Sequence, residues 1–270
     1  MTFGLGPALL FCPADRPERY AKAAERSDAV ILDLEDAVAA PARPAARETL
    51  TQTPLDPDRT IVRVNAVGSD DFAADLAALS RTQYRTLMVP KSASAEQMRA
   101  LEGYDVVALC ESAVGVVHAA EIAACANVVA LMWGAEDLVA SLGGTSSRFA
   151  DGTYRDVARH ARAAVLLAAG AAGKAAIDTV FLDIANLDGL AAEAEDAVAS
   201  GFAATACIHP SQVAVIRAAY QPSEAEIAHA RLLLQTAVGA HGVFTVDGQM
   251  VDGPVLLHAE QVLRRAGRAH

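Results

Sequence analysis

Short apolar runs recur along the chain, separated by stretches in which apolar residues return every three or four positions. The runs ALLFC (8–12), AVILDL (29–34), TIVRVN (60–65), TLMVPK (86–91), VVALCE (106–111), VVALMWG (128–134), AIDTVF (176–181) and ATACIH (204–209) are predicted as strands. Most are continuously apolar rather than alternating, the pattern of parallel strands buried on both faces. Between them, Arg16–Arg26, Ala42–Leu50, Asp70–Ser80, Ala95–Glu102, Thr153–Ala169 and Asp188–Ser200 are amphipathic, and several open on Asp, Ser or Pro, as helices do. Eight such strands alternating with helices predict an α/β chain folded as a (β/α)8 TIM barrel. An open doubly wound sheet is the alternative, but no run leads into GxGxxG or GxxxxGK[ST], and GLGPA precedes its strand instead of following it.

The barrel is expected to occupy 1–220 and a C-terminal extension 221–270. In the tail, Ser211–Ala219 and Glu224–Gly239 are predicted helical, and HGVFTVDGQMVDGP (241–254) is a hairpin-like loop with a turn signal at VDG. A last helix is expected over Pro254–Ala266. This helical and hairpin extension exceeds what a minimal barrel needs, so it is expected to pack on the barrel or on a neighbouring subunit.

Composition narrows the partners. The chain has 270 residues, 53% of them hydrophobic, with 22 Lys and Arg against 33 Asp and Glu, a formal charge of −11. That size supports a large core, and the acidic balance argues against nucleic acid. Cys12, Cys110, Cys125 and Cys207 form no CxxC pair, and Cys12, Cys110 and Cys207 lie in apolar runs, as buried reduced thiols would. No signal peptide or membrane span is read, and the expected location is cytoplasmic.

In a barrel the catalytic groups stand at the carboxyl ends of the strands. Those ends carry Asp15 and Arg16, Glu35 and Asp36, Arg63, Lys91, Glu111, Asp137, Asp183 and His209, so charges of both signs stand where an apolar core opens. Glu111 and Asp137, on adjacent strands without a His pair or Cys nearby, suit Mg2+ or Mn2+ better than Zn2+. Arg63 lies inside IVRVN and requires a carboxylate partner, either a protein acid or a substrate. A divalent ion beside an arginine describes a site for an α-keto acid such as oxaloacetate or glyoxylate. Lys91 has two readings: a Schiff-base nucleophile, or a charge partner for the acidic mouth. Glu35 and Asp36 are expected behind the metal site, holding its waters or neighbouring loops. His209, before Pro210, is expected to anchor the mouth. His118, His160, His229, His241, His258 and His270 carry no spacing signal.

PADRPERYAKA (13–23), ILDLEDAV (31–38), VRVN (62–65), PKSASAEQM (90–98), ESAVGV (111–116), WGAEDL (133–138), CIHPSQV (207–213) and GQMVDGPVL (248–256) follow one another over nearly the whole chain. With these motifs the sequence resembles the HpcH/HpaI aldolase superfamily, specifically citrate lyase beta-subunit-like proteins and the related malyl-CoA and citramalyl-CoA lyases. The resemblance implies a Mg2+-dependent barrel enzyme, a homotrimer or dimer of trimers, that cleaves or forms a carbon–carbon bond between a keto acid and an acetyl thioester. It makes Glu111 and Asp137 the metal ligands, with Glu111 also approaching substrate, and Arg63 the clamp for the substrate carboxylate. It makes Asp252, in MVDGP, an acid/base residue that reaches a neighbouring subunit's site. It places Arg16, Lys22 and His209 near CoA. The substrate is then malyl-CoA, citramalyl-CoA or a citryl thioester, carried by CoA or an acyl-carrier protein. Schiff-base chemistry through Lys91 and a non-catalytic barrel that binds keto acid and CoA are the competing readings.

Overall fold

The computed structural model describes residues 3–238 and 242–267. Eight parallel strands close into a barrel in sequence order: β1 (Ala8–Pro13), β2 (Ala29–Asp33), β3 (Thr60–Arg63), β4 (Thr86–Val89), β5 (Asp105–Cys110), β6 (Val128–Trp133), β7 (Ala175–Asp178) and β8 (Ala204–Cys207). The ring is completed where Ala8, Leu9 and Leu10 pair with Thr205, Ala206 and Cys207. Around it run α1 (Pro17–Arg26), α2 (Arg43–Gln52), α3 (Asp70–Leu79), α4 (Ala95–Arg99), α5 (Ala113–Val117), α6 (Ala119–Ala123), α7 (Ala135–Ser141), α8 (Asp156–Ala171) and α9 (Leu187–Ser200). The fold is therefore the (β/α)8 barrel that the apolar runs predict.

Strand side chains alternate between faces, so every second residue points into the barrel. The interior is filled by Leu9, Ile31, Ile61, Met88, Val107, Leu109, Met132, Ile177, Ala204 and Ala206, all buried. Each Leu or Ile removed from water in this way stabilises the fold by about 1.5–3 kcal/mol. One more step of the same two-residue period from Ile31, Ile61, Leu109 and Met132 reaches Asp33, Arg63, Glu111 and Gly134. The rows that build the core thus deliver their polar ends to the carboxyl side of the barrel.

Several boundaries differ from the sequence reading. The seventh strand ends at Asp178, not at Phe181, so Asp183 is not a strand-end group: it lies on an exposed loop and accepts the Ala185 N–H. At its end Asp178 accepts from Trp133 Nε1 at 2.6 Å and from Arg162 at 2.8 Å. Asp137 does not end β6 either: it occupies the first turn of α7, past Gly134. The short helices α5, α6 and α7 fall where the apolar periodicity predicts none.

The chain divides into two compact units, the first running to Ile216 and the second beginning at Arg217, inside α10 (Pro210–Tyr220). The second unit contains α11 (Glu224–Ala237), the antiparallel hairpin of β9 (Phe244–Val246) and β10 (Gln249–Val251), and α12 (Gly253–Ala266). Its own core joins Ile227, Leu233, Val246, Val251, Ala259 and Val262. The hairpin turns at Asp247 and Gly248, whose φ angles of 48° and 78° are the double left-handed conformation of a two-residue turn. Ser223 opens α11 with a capping box to Glu226, and Asp252 caps α12 by accepting the Val255 N–H at 3.3 Å. His241, His270 and the Gly239 end of the predicted helix lie outside the described residues. Among the described residues no helix is long and apolar enough to cross a membrane.

Candidate active site

A cavity of about 830 Å³ opens at the carboxyl ends of the strands. Its floor is apolar, with Leu10, Phe11, Leu109, Met132 and Val180, and its upper wall carries Asp33, Arg63, Glu111 and Asp137. Arg63 is fixed from one side. Asp33, its Cα partner in the β2–β3 register, accepts from Nε at 2.7 Å and Nη2 at 2.6 Å, and the guanidinium lies 4.9 Å from the centre of the Phe11 ring. Asp33 also takes the backbone N–H groups of Glu35 and Ala37, so both its oxygens are saturated. The partner left open by the sequence is thus a protein acid. Of the five guanidinium N–H groups, Asp33 uses two, while Nη1 stands 3.2 Å from Glu35 Oε2 and the residue lines the cavity.

Glu35 is buried between two cations. Its Oε1 accepts from Lys91 Nζ at 2.5 Å, and its Oε2 lies 3.2 Å from Arg63 Nη1 without hydrogen-bond geometry. Burial raises its pKa, while Arg63 and Lys91 pull the other way. Lys91 Nζ also stands 3.9 Å from Asp36 and 4.0 Å from Asp137, and the Lys91 backbone N–H donates to Glu111 Oε1 at 3.0 Å. Burial works against the charge on Lys91, but the Glu35 hydrogen bond and the neighbouring carboxylates prevail and raise its pKa. Lys91 is accordingly an ammonium at neutral pH, the charge-partner reading, whereas a Schiff-base lysine needs the opposite shift.

Glu111 is only 3% exposed. Burial first, and the charge of Asp137 second, push its carboxyl up to about 8. Gly134 leaves the space it needs, because a Cβ there would come within 2.9 Å of both Glu111 Cβ and Oε2. Among the described residues no set of three or more His, Cys, Asp or Glu is placed to hold a metal. Two carboxylates facing one cavity are the smaller donor set that Mg2+ accepts, because that ion keeps several waters and substrate oxygens. Burial, and after it the charge of Asp137, disfavour the ionised form of Glu111, and a divalent ion would offset both, so the residues fit the ion.

The rim is basic on one side. Arg19, Lys22 and Arg26 share one face of α1 and line the cavity, as does His209. Arg19 and Arg26 were not anticipated, although their spacing from Lys22, three and four residues, is legible in the sequence. Arg16 lies outside this lining: it is exposed at the start of α1, with Nε 3.6 Å from Asp15. His209 is exposed and bonds Ser211, and its backbone is held by Gln212, a fully buried residue that also binds Phe181 O at 2.8 Å. Gln212 thereby ties the loop after β8 to the loop after β7. The four cysteines are buried, and desolvation pushes the Cys110 thiol up to about 12, which leaves it unreactive.

Comparison with known proteins agrees with this architecture. Residues 8–210 match the family model HpcH/HpaI aldolase/citrate lyase. A citrate lyase subunit beta-like protein of Mycobacterium tuberculosis is 59% identical over 264 residues, covering 98% of this chain and 97% of the relative. A crystal structure of protein CitE from the same organism, in complex with magnesium, acetoacetate and coenzyme A, superposes with a TM-score of 0.93 at 59% identity, covering 97% of this chain and 98% of the other. A citrate lyase beta subunit from M. tuberculosis, complexed with oxaloacetate and magnesium, gives a TM-score of 0.80 at 60% identity over 81% of this chain and 98% of the other. A barrel whose inward rows end in an arginine and two cavity-facing carboxylates, matched over nearly its full length, belongs to the HpcH/HpaI aldolase/citrate lyase family and is a carbon–carbon lyase.

Proposed function

We propose that this chain is a Mg2+-dependent lyase that cleaves or forms a short 3-hydroxydicarboxyl thioester, exchanging it for a keto acid and an acetyl thioester. The observation that carries this reading is the placement of buried Glu111 and half-exposed Asp137 in one cavity with Arg63, below a basic rim. Glu111 and Asp137 would hold the ion; magnesium is the ion bound in the structures of the M. tuberculosis relatives. When bound, Mg2+ would polarise the keto oxygen and stabilise negative charge developing on it. Arg63, locked by Asp33, lines the cavity and would meet the substrate carboxylate there with the N–H groups that Asp33 does not take, so that this end of the keto acid is oriented before reaction. The apolar floor excludes water and strengthens that contact. Arg19, Lys22, Arg26 and His209 face the anionic part of a CoA thioester, the carrier found in one relative's structure.

Asp252 is the proposed acid/base residue, exchanging a proton with the acetyl α-carbon. Its carboxylate is already set at the start of α12, with one oxygen committed to the Val255 N–H. We place its action in the cavity of a neighbouring subunit of a homotrimer. Separately inactive D252A and E111Q chains, mixed and reassembled, should then regain activity, and a mixture that stays inactive rejects the shared site. The function itself is tested by incubating the protein with malyl-CoA, citramalyl-CoA and citryl-CoA. Mg2+-dependent release of a keto acid with acetyl-CoA, abolished by EDTA, is expected from one of them. Activity that survives EDTA and is trapped on the protein by borohydride would instead identify Lys91 chemistry, and binding without product under any metal would mark a non-catalytic barrel.

A further inference from the structure

Lys91 has two attachments that its position in the chain does not require. Its φ is 50°, in the left-handed region where glycine is favoured and a lysine is uncommon. In that conformation its N–H meets Glu111 Oε1 at 3.0 Å, a contact any residue type could make. The side chain is therefore what distinguishes lysine here. It leads the ammonium to Glu35 at 2.5 Å, with Asp36 at 3.9 Å and Asp137 at 4.0 Å. Glu35 is buried and tethers it, and Arg63, the other cation beside Glu35, is already committed to Asp33. One ammonium thus stands among carboxylates that would otherwise repel one another.

We infer that Lys91 is a positioning residue that serves as the resident counter-cation of the metal-ligating pair, holding Asp137 and Glu111 assembled before the ion arrives and moderating how tightly the ion is held. The inference rests on the proposal that Glu111 and Asp137 bind Mg2+. An ammonium 4.0 Å from Asp137 repels a divalent ion bound there while offsetting the repulsion between the empty ligands. Removing the charge should therefore have opposite effects on the two states: the metal-free site loosens, and Mg2+ binds more tightly.

The test uses the full chain with Mg2+ alone as the probe, at pH 8.5, and compares wild type with K91M, K91G and K91R. K91M keeps the N–H and loses the charge, K91G does the same without the φ penalty, and K91R restores the charge. Calorimetry should give Mg2+ affinities roughly tenfold tighter in K91M and K91G, on the strength of removing one like charge at this distance, and wild-type-like in K91R. The metal-free Tm should fall in K91M, and saturating Mg2+ should close that gap. A purely structural lysine would lower Tm equally with and without Mg2+. The inference is overturned if K91M and K91G bind Mg2+ no tighter than wild type, or if the Tm gap ignores the ion. If wild type itself shows no Mg2+ binding that D137N removes, the metal-pair proposal falls, and this inference with it.

Discussion

Burying a carboxylate beside a second one favours its protonated form, and Glu111 occupies such a position with a pKa near 8 against 4.5 in the free side chain. Between those values the folded protein retains a proton that the unfolded chain releases, so the metal-free protein loses stability as pH rises through that window. E111Q removes the penalty. Its urea melt at pH 8.5 without metal should show a gain on the order of 3 kcal/mol over wild type, and near equality at pH 5. The same variant should show no Mg2+-induced rise in Tm. Asp33 is 1% exposed and satisfies Arg63 with two hydrogen bonds. D33N should cost about 3 kcal/mol in stability by weakening a buried pair. By loosening Arg63 it should also lower kcat/KM on the order of a hundredfold, which steady-state kinetics would show.

At the scale of elements, the mouth depends on close approaches between consecutive strand ends. Gly134 passes so near Glu111 that a methyl group has no room. G134A should displace the carboxylate, with Mg2+ affinity by calorimetry falling by about tenfold or more while the barrel remains folded. This scale also explains what the sequence conveyed. The strand positions follow from the continuous apolar runs, whereas the inward parity of Asp33, Arg63 and Glu111 emerges only in the fold, because a run that is apolar on both faces displays no alternation. The end of β7 is not legible in its run either, because Val180 and Phe181 prolong the apolar run beyond Asp178, and only the folded chain brings Trp133 and Arg162 to that carboxylate. The basic row of α1 was readable in the spacing of Arg19, Lys22 and Arg26. It acquires meaning only once the helix is known to border the cavity, since the same spacing on another helix would face open solvent.

The molecule as a whole carries a formal charge of −11, which repels an anionic thioester at long range. The rim reverses that locally. R19A combined with R26A should raise KM for the thioester by roughly tenfold with kcat nearly unchanged, and should flatten the salt dependence of kcat/KM. The closure of the barrel has a further consequence. Ala8 near the start of the chain pairs with Thr205, so the ring has a seam between its first strand and its last. A growing polypeptide has already made Asp33, Arg63 and Glu111 well before β8 exists, and until the seam joins, these groups belong to an open sheet with a wet interior. Chains arrested on the ribosome short of β8 should lack the site however completely its side chains have been synthesised.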